Sequence, residues 1–354
     1  MSVFRLEAMP AREGDALLLS YGGSEHDLRH VVIDAGRSST GKALAAHLVG
    51  QGIARIEALV VTHVDADHIE GTLDFLKAVR AKVEIADVWF NGYRHLSDVE
   101  ELGAAQGEDL TALIALLSWN RVVDGGAIRV APDGAPMRLP PLAGGLEMTV
   151  LSPDAAKLRK MIPVWERECS KAGIVPGEGR SDEAPTPVGF EHMGGEMDVE
   201  TLAATWTKDD TAPANGTSIA LLAEFGGKRI LLGADAHPDL LTASLKRLDG
   251  GARVRLDLMK VPHHGSQANV TSALLAAVDC RDFLISTDGS KFGHPDDVAV
   301  ARIVASRKDG VRLWFNYRKP RTTAWETRSA TEAGHPFSCE FADEGGSVTV
   351  PLLP

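Results

Sequence analysis

The sequence predicts a layered α/β fold: two α/β halves packed sheet to sheet, with the chemistry at the strand ends between them. Three observations carry this expectation. Short β-branched runs alternate with helical spacing through the first third of the chain, and the same rhythm returns after residue 218. In both halves, residues that can hold a metal stand directly after a strand-like run.

The elements follow in order. Phe4–Ala8, Ala16–Tyr21 and His30–Asp34 read as strands, the last ending in VVIDAG. Lys42–Gln51 has helical spacing, with Leu44 and Leu48 four apart on one face. Ala58–Thr62 is a short buried strand, a helix is expected over 71–81, and Ile85–Phe90 is another strand. Later, Ser218–Phe225 and Lys228–Gly233 form a hairpin turning on Gly226-Gly227. Leu256–Val261, Phe283–Ser286 and Val311–Phe315 read as strands, separated by helices over Thr271–Val278 and Pro295–Ser306. The expected organisation is one domain over 1–354. Within it, 154–210 is a Gly- and Pro-rich lid or mobile insertion opening with a charged helix, and 318–354 is a C-terminal extension.

Composition narrows the function classes. The chain has 354 residues, 44% apolar and 24% charged, enough to bury a large core. A formal charge of −12 argues against a basic surface that wraps nucleic acid. It does not exclude a nuclease, because bound dications and a few arginines can reverse the sign inside a cleft. Three scattered cysteines without CxxC spacing fit reduced thiols, and no segment has signal-peptide or membrane-span character. The expectation is a cytoplasmic protein without a membrane partner.

The most informative segment is Thr62-His63-Val64-Asp65-Ala66-Asp67-His68, directly after a strand. Four metal-capable side chains within six positions can feed two ions a few Å apart, as two-metal hydrolysis requires. Asp235 follows the apolar run 229–234, where a carboxylate can bridge two ions. His263 and His264 follow the strand ending at Val261. Adjacent histidines after a strand are expected to point apart, so His263 is taken as the ligand and His264 as a residue contacting substrate or orienting a ligand. His294, before a helix in Phe292-Gly293-His294-Pro295, is a candidate for stabilising an oxyanion or phosphate, or is a plain loop histidine. His237 and Asp239 read as a helix start, with further metal ligation as the alternative; Trp89, Trp119, Trp165 and Trp206 read as core or lid packing; Arg318, Lys319 and Arg321 read as a solvated basic cluster, with a phosphate-backbone contact as the alternative.

THVDADHIEG resembles the HxHxDH motif of the metallo-β-lactamase superfamily, with Asp65 in the second histidine's place. EGDALLLSYGG, VVIDAG, ANGTSIALLAEFGGKRILLGAD, LMKVPHHGSQAN and ISTDGSKFGHP resemble, in order, the soluble metallo-hydrolase domain of ComEC-type bacterial DNA-uptake channels. The resemblance implies a four-layer αββα sandwich. It implies metal ligands at His63, Asp65, Asp67, His68, Asp235 and His263, with Asp34 and Asp15 close by. It also implies two divalent ions, Zn²⁺ or Mn²⁺, Asp65 favouring Mn²⁺. Catalytic roles fall to Asp67, which orients the attacking hydroxide, and to His264 or His294, which stabilise charge or protonate the leaving group. The superfamily's further histidine is missing: the chain reads Asn215-Gly216-Thr217-Ser218 there, leaving one ion short of ligands. The implied activity is phosphodiester cleavage of DNA or another nucleic acid. The alternatives are a small-molecule ester, lactone or amide hydrolase, and a non-catalytic metal-binding module of a larger system.

Overall fold

The computed structural model describes residues 1–96, 105–172, 198–329 and 334–353. The first half lays down β1 (Val3–Ala8), β2 (Leu17–Gly22) and β3 (Leu28–Ile33) as an antiparallel meander. Helix α1 (Ser38–Gly50) leads to β4 (Ala58–Val60), and α2 (Ala66–Val79) leads to β5 (Val88–Trp89). β4 pairs in parallel with β3, and β5 in parallel with β4. Then come α3 (Ala105–Ile114), the edge strand β6 (Met137–Arg138), β7 (Glu147–Ser152), α4 (Ala155–Ala172), α5 (Val199–Ala204) and α6 (Pro213–Gly216).

The hairpin β8 (Ala220–Phe225) and β9 (Lys228–Leu232) opens the second half. It continues through α7 (Pro238–Leu245), β10 (Leu258–Lys260), α8 (Ser272–Ala276), β11 (Asp282–Ile285), α9 (Asp297–Ala305), β12 (Val311–Phe315) and α10 (Pro320–Ser329). The 318–354 tail belongs to both sheets. β13 (Phe337–Phe341) pairs in parallel with β12, and β14 (Val348–Leu353) crosses to pair antiparallel with β1.

The result is the αββα sandwich, and the period-2 alternation of the strands builds it. In the first sheet Leu17, Leu19, Val31, Ile33 and Val60 face inward, against Leu221, Ile230, Leu232, Leu258 and Leu284 of the second. The intervening Leu18, Val32 and Leu59 face α1 and α2 through Leu44, Leu48 and Phe75. On the far side Leu222, Leu231, Met259 and Phe283 meet Leu241, Leu274, Ile303 and Trp325.

Several expected boundaries shift. α2 starts at Ala66, not near Gly71, so Asp67 and His68 lie on its first turn. The strand expected over Ile85–Phe90 is only Val88–Trp89, because Glu84–Ile85 pairs instead with Arg55–Ile56. Residues 154–210 contribute the expected charged helix as α4, which packs on the first helical layer, and α5, which packs on the second. Arg180 and the Gly177–Gly195 stretch of that insertion lie outside the described residues. No helix among the described residues is long and apolar enough to cross a membrane.

Candidate metal centre

Strand register sets the site. Leu232 pairs with Lys260, and Ile33 pairs with Val60. Asp235, His263 and His63 each stand three residues beyond that last paired row, at the carboxyl ends of parallel strands where α/β sheets place their ligands. Asp34 leaves its strand at once, with a left-handed φ of 56°, and turns its carboxylate under the His63 loop. There it accepts from Thr62 N (2.8 Å), Thr62 Oγ1 (2.7 Å) and His68 Nδ1 (2.7 Å).

Asp235 is the hub. Its Oδ2 lies 3.5 Å from His68 Nε2, 3.6 Å from His263 Nε2 and 3.9 Å from His63 Nε2, and its Oδ1 lies 3.6 Å from His264 Nε2. Asp65 adds an oxygen 3.6 Å from His63 Nε2, and Asp67 adds one 3.7 Å from His264 Nε2. The other five sequence candidates and His264 therefore gather around the Asp235 carboxylate. They divide into two candidate seats: His63, Asp65 and His263 on one side, Asp67, His68 and His264 on the other.

His264 stands with the ligand candidates. It is buried, and its Nδ1 donates to the Ser286 carbonyl (2.9 Å). The strand has ended before the pair begins, so the alternation of an extended backbone does not apply. His263 (φ 47°), His264 (φ 53°) and Gly265 (φ 85°) form a left-handed turn that brings both imidazoles onto Asp235. Each non-glycine residue there costs about 1–2 kcal/mol, a strain characteristic of functional sites.

The imidazoles are held so that each presents Nε2. His68 Nδ1 faces Asp34, His264 Nδ1 faces a carbonyl, His263 Nδ1 faces Asn269 Oδ1 (2.8 Å), and His63 Nδ1 faces Thr62 Oγ1 (3.0 Å), a hydroxyl already donating to Asp34. Acceptors on Nδ1 place the proton there and leave the Nε2 lone pair free. His68 Nε2 and His264 Nε2 then face each other at 3.2 Å. Two nitrogens on one tetrahedral ion sit about 3.3 Å apart. His63 Nε2 and Asp235 Oδ1 are buried without a hydrogen-bond partner. Lone pairs gathered around one carboxylate, two of these atoms without a partner, fit cations between them.

Electrostatics agree with a site shaped for positive charge. Burial opposes ionisation of Asp235, yet His263, His68 and His264 hold it well below the usual carboxylate range. Burial also pulls His263 down, but Asp235 and Asp210 carry it up to about 9. For His264 burial wins, at about 3. Asp15 lies within 4.8 Å of the His68, Asp235 and His264 ligand atoms. It is tied to the buried Lys260 and reaches His264 from the Nδ1 side, which makes it a support behind the ring.

The remaining candidates lie farther out. His294 is beside the open edge of His263, ring centres 5.4 Å apart, with Nδ1 3.5 Å from Asp296. His237 donates from Nε2 to the Ala212 carbonyl, and Asp239 pairs with Lys157, so both serve the start of α7. Arg318 pairs with Glu326 and lies over Phe341, while Arg321 packs under Pro295, so the basic cluster is divided. Trp89 and Trp165 are core, but Trp206 is exposed, and the core reading does not hold for it. Sequence reasoning gave no role to Asn269 or Asp210, and took Asn215 only as the place of a missing histidine. Asn269 and Asn215 both donate to Asp210, which lies 3.4 Å from His263 Nδ1. Their signal was present as the asparagines of ANGTS and HHGSQAN.

A family model described as the metallo-beta-lactamase superfamily matches residues 24–289. A search of curated proteins found no match.

Proposed function

Starting from the fact that this chain belongs to the metallo-β-lactamase superfamily, whose members are typically metal-dependent hydrolases, we propose that it is a two-metal phosphodiesterase acting on nucleic acid. The observation that carries the reading is Asp235 ringed by the Nε2 atoms of four imidazoles, with a carboxylate on each flank. His63, Asp65 and His263 would hold one ion, and Asp67, His68 and His264 the other, with Asp235 between them. His263 thus fills the place left by the histidine missing at Asn215. Mixed imidazole and carboxylate donors suit Zn²⁺ or Mn²⁺. When bound, such ions supply a water acidified toward neutrality and a Lewis acid for the substrate oxygen.

The chain's own residues do the rest. Asp67 orients the attacking oxygen from the first turn of α2. His294, on the open side of His263, gives the leaving oxygen its proton. The nucleic-acid substrate rests on the HHGSQAN and FGHP segments and their likeness to the DNA-uptake hydrolases. The acidic charge of −12 favours a second reading, a small-molecule ester or lactone hydrolase.

Elemental analysis should find up to two transition-metal equivalents per chain. Single- and double-stranded DNA, RNA, bis-p-nitrophenyl phosphate and lactones should then be offered with Mn²⁺ or Zn²⁺. Phosphodiester cleavage that vanishes in Asp67→Ala, with the circular dichroism spectrum kept, is the expected result. A protein that binds neither added metal removes the site, and lactone hydrolysis alone selects the second reading.

A further inference from the structure

Among the described Phe, Trp and Tyr residues two are exposed: Trp206, at 83%, and Phe292, at 49%. Isolated exposed rings are ordinary and need no explanation. These two differ because their loops both bond the backbone of Gln267, four residues after His263. Thr207 Oγ1, next to Trp206, donates to the Gln267 carbonyl (3.0 Å), and Asp296 Oδ2, four residues after Phe292, accepts from Gln267 N (2.8 Å). Arg302 bonds the Gln267 carbonyl (2.9 Å) and the Thr205 carbonyl (2.6 Å), fixing the first loop to the second helical layer. The Trp206 loop continues to Asp210, 3.4 Å from His263 Nδ1. On the other side Phe292 lies 6.2 Å from His294, and His294 lies 5.4 Å from His263, so a row of rings leads from solvent to the centre.

A lysine accompanies each ring. Lys208 is exposed two residues after Trp206, and Lys291 Nζ stands 4.8 Å over the Phe292 ring. Asp209 and Asp297 are exposed nearby, so charge alone draws a polyanion only weakly to this rim. Stacking is indifferent to that charge, because every base has a flat π-face.

We propose that Trp206 and Phe292 are stacking platforms for bases flanking the scissile phosphate of a single-stranded nucleic acid, with Lys208 and Lys291 on its phosphates. This rests on the phosphodiesterase reading above and names the form of the substrate. A duplex keeps its bases stacked on each other and offers no faces to these rings.

The test uses the full-length protein loaded with Mn²⁺, a short oligothymidylate, and an abasic oligonucleotide of equal length. Wild type should cleave the oligothymidylate with kcat/KM roughly tenfold or more above the abasic strand, the order of one stacked base. Trp206→Ala and Phe292→Ala should lose that preference through KM, while Trp206→Phe and Phe292→Tyr should keep it. Oligothymidylate should quench tryptophan fluorescence in wild type and less so in Trp206→Phe. Equal cleavage of both strands by wild type, or Ala variants that keep the preference, overturns the platforms and leaves the phosphodiesterase reading standing. A wild type that cleaves neither strand overturns both.

Discussion

At the scale of single residues, the centre depends on groups that never touch an ion seat directly. Asn269 is buried, accepts from His263 Nδ1, and donates to the Asp235 and Ala236 carbonyls and to Asp210. Asn269→Ala removes the acceptor on His263 Nδ1 and the amide that links it to the Asp235 and Ala236 carbonyls, leaving the His263 backbone bond to Ala234 in place. Losing such a partner typically costs 10–100-fold in metal affinity. Titration calorimetry with Zn²⁺ should therefore show one site weakened by about that factor and the other unchanged; two unchanged sites would detach Asn269 from the centre. A second expectation lies away from the site. Burial holds His30 and His95 each down at about 4, against an ordinary 6.5. Their folded pKa values are depressed, so the unfolded chain takes up protons first as pH falls. Their contribution is complete above about pH 6.5 and is lost progressively toward about pH 4. Denaturant midpoints should fall across that window, and His30→Gln should flatten the fall if this titration drives it.

At the scale of elements, what could be read in advance followed from local pattern. The β8–β9 hairpin, β12 and the strand-end histidines were legible, because period-2 alternation and a Gly-Gly turn act within a few residues. β13 and β14 were not. Their neighbours, β12 and β1, are set by sheet closure, and β1 lies at the opposite end of the chain. The start of α2 was placed too late: Asp65 is a favoured N-cap residue type, but it reads as a metal ligand, and His68 stands where a capping box would have Glu or Gln. The left-handed turn at His263 and His264 was hidden as well, since the pattern of residues gives no sign of positive φ at histidine. Backbone contact between elements leads to a further prediction. Gly71 on α2 lies against the Ala35 carbonyl, and the Gly71 carbonyl in turn lies against Gly41 of α1. Alanine favours helices by about 1 kcal/mol over glycine, so Gly71→Ala in an open helix would stabilise. Here the methyl group would overlap the Ala35 backbone oxygen, which cannot swing aside, and overpacking costs about 1–3 kcal/mol. The net result should be a lower melting temperature. A rise in melting temperature would show that the α1–α2 contact yields.

At the scale of the whole molecule, the question is how an acidic protein would hold a polyanion. Net charge is −12, and the loops around the centre carry carboxylates as well as lysines. Exposed charges farther away than about 8–10 Å are screened at physiological salt. The general acidity therefore slows encounter more than it weakens a docked strand. A docked strand would meet a small number of cations, of which Lys208 and Lys291 are the rim pair. For single strands the logarithm of affinity falls with the logarithm of salt at about 0.7 per phosphate held. Two contacts give a slope near −1.4, so raising salt from about 50 to about 200 mM should weaken oligothymidylate binding roughly sevenfold. Fluorescence titration of the Mn²⁺-loaded protein across that range measures the slope. Replacing both lysines with glutamine should bring it close to zero while base-dependent quenching by Trp206 persists, which separates the charge contribution from stacking. A slope of −4 or steeper would mean that a larger basic surface, outside the rim, does the binding. A slope near zero in the wild type would mean that no phosphates are gripped there, and the small-molecule reading would then account better for a hydrolytic centre set in so acidic a surface.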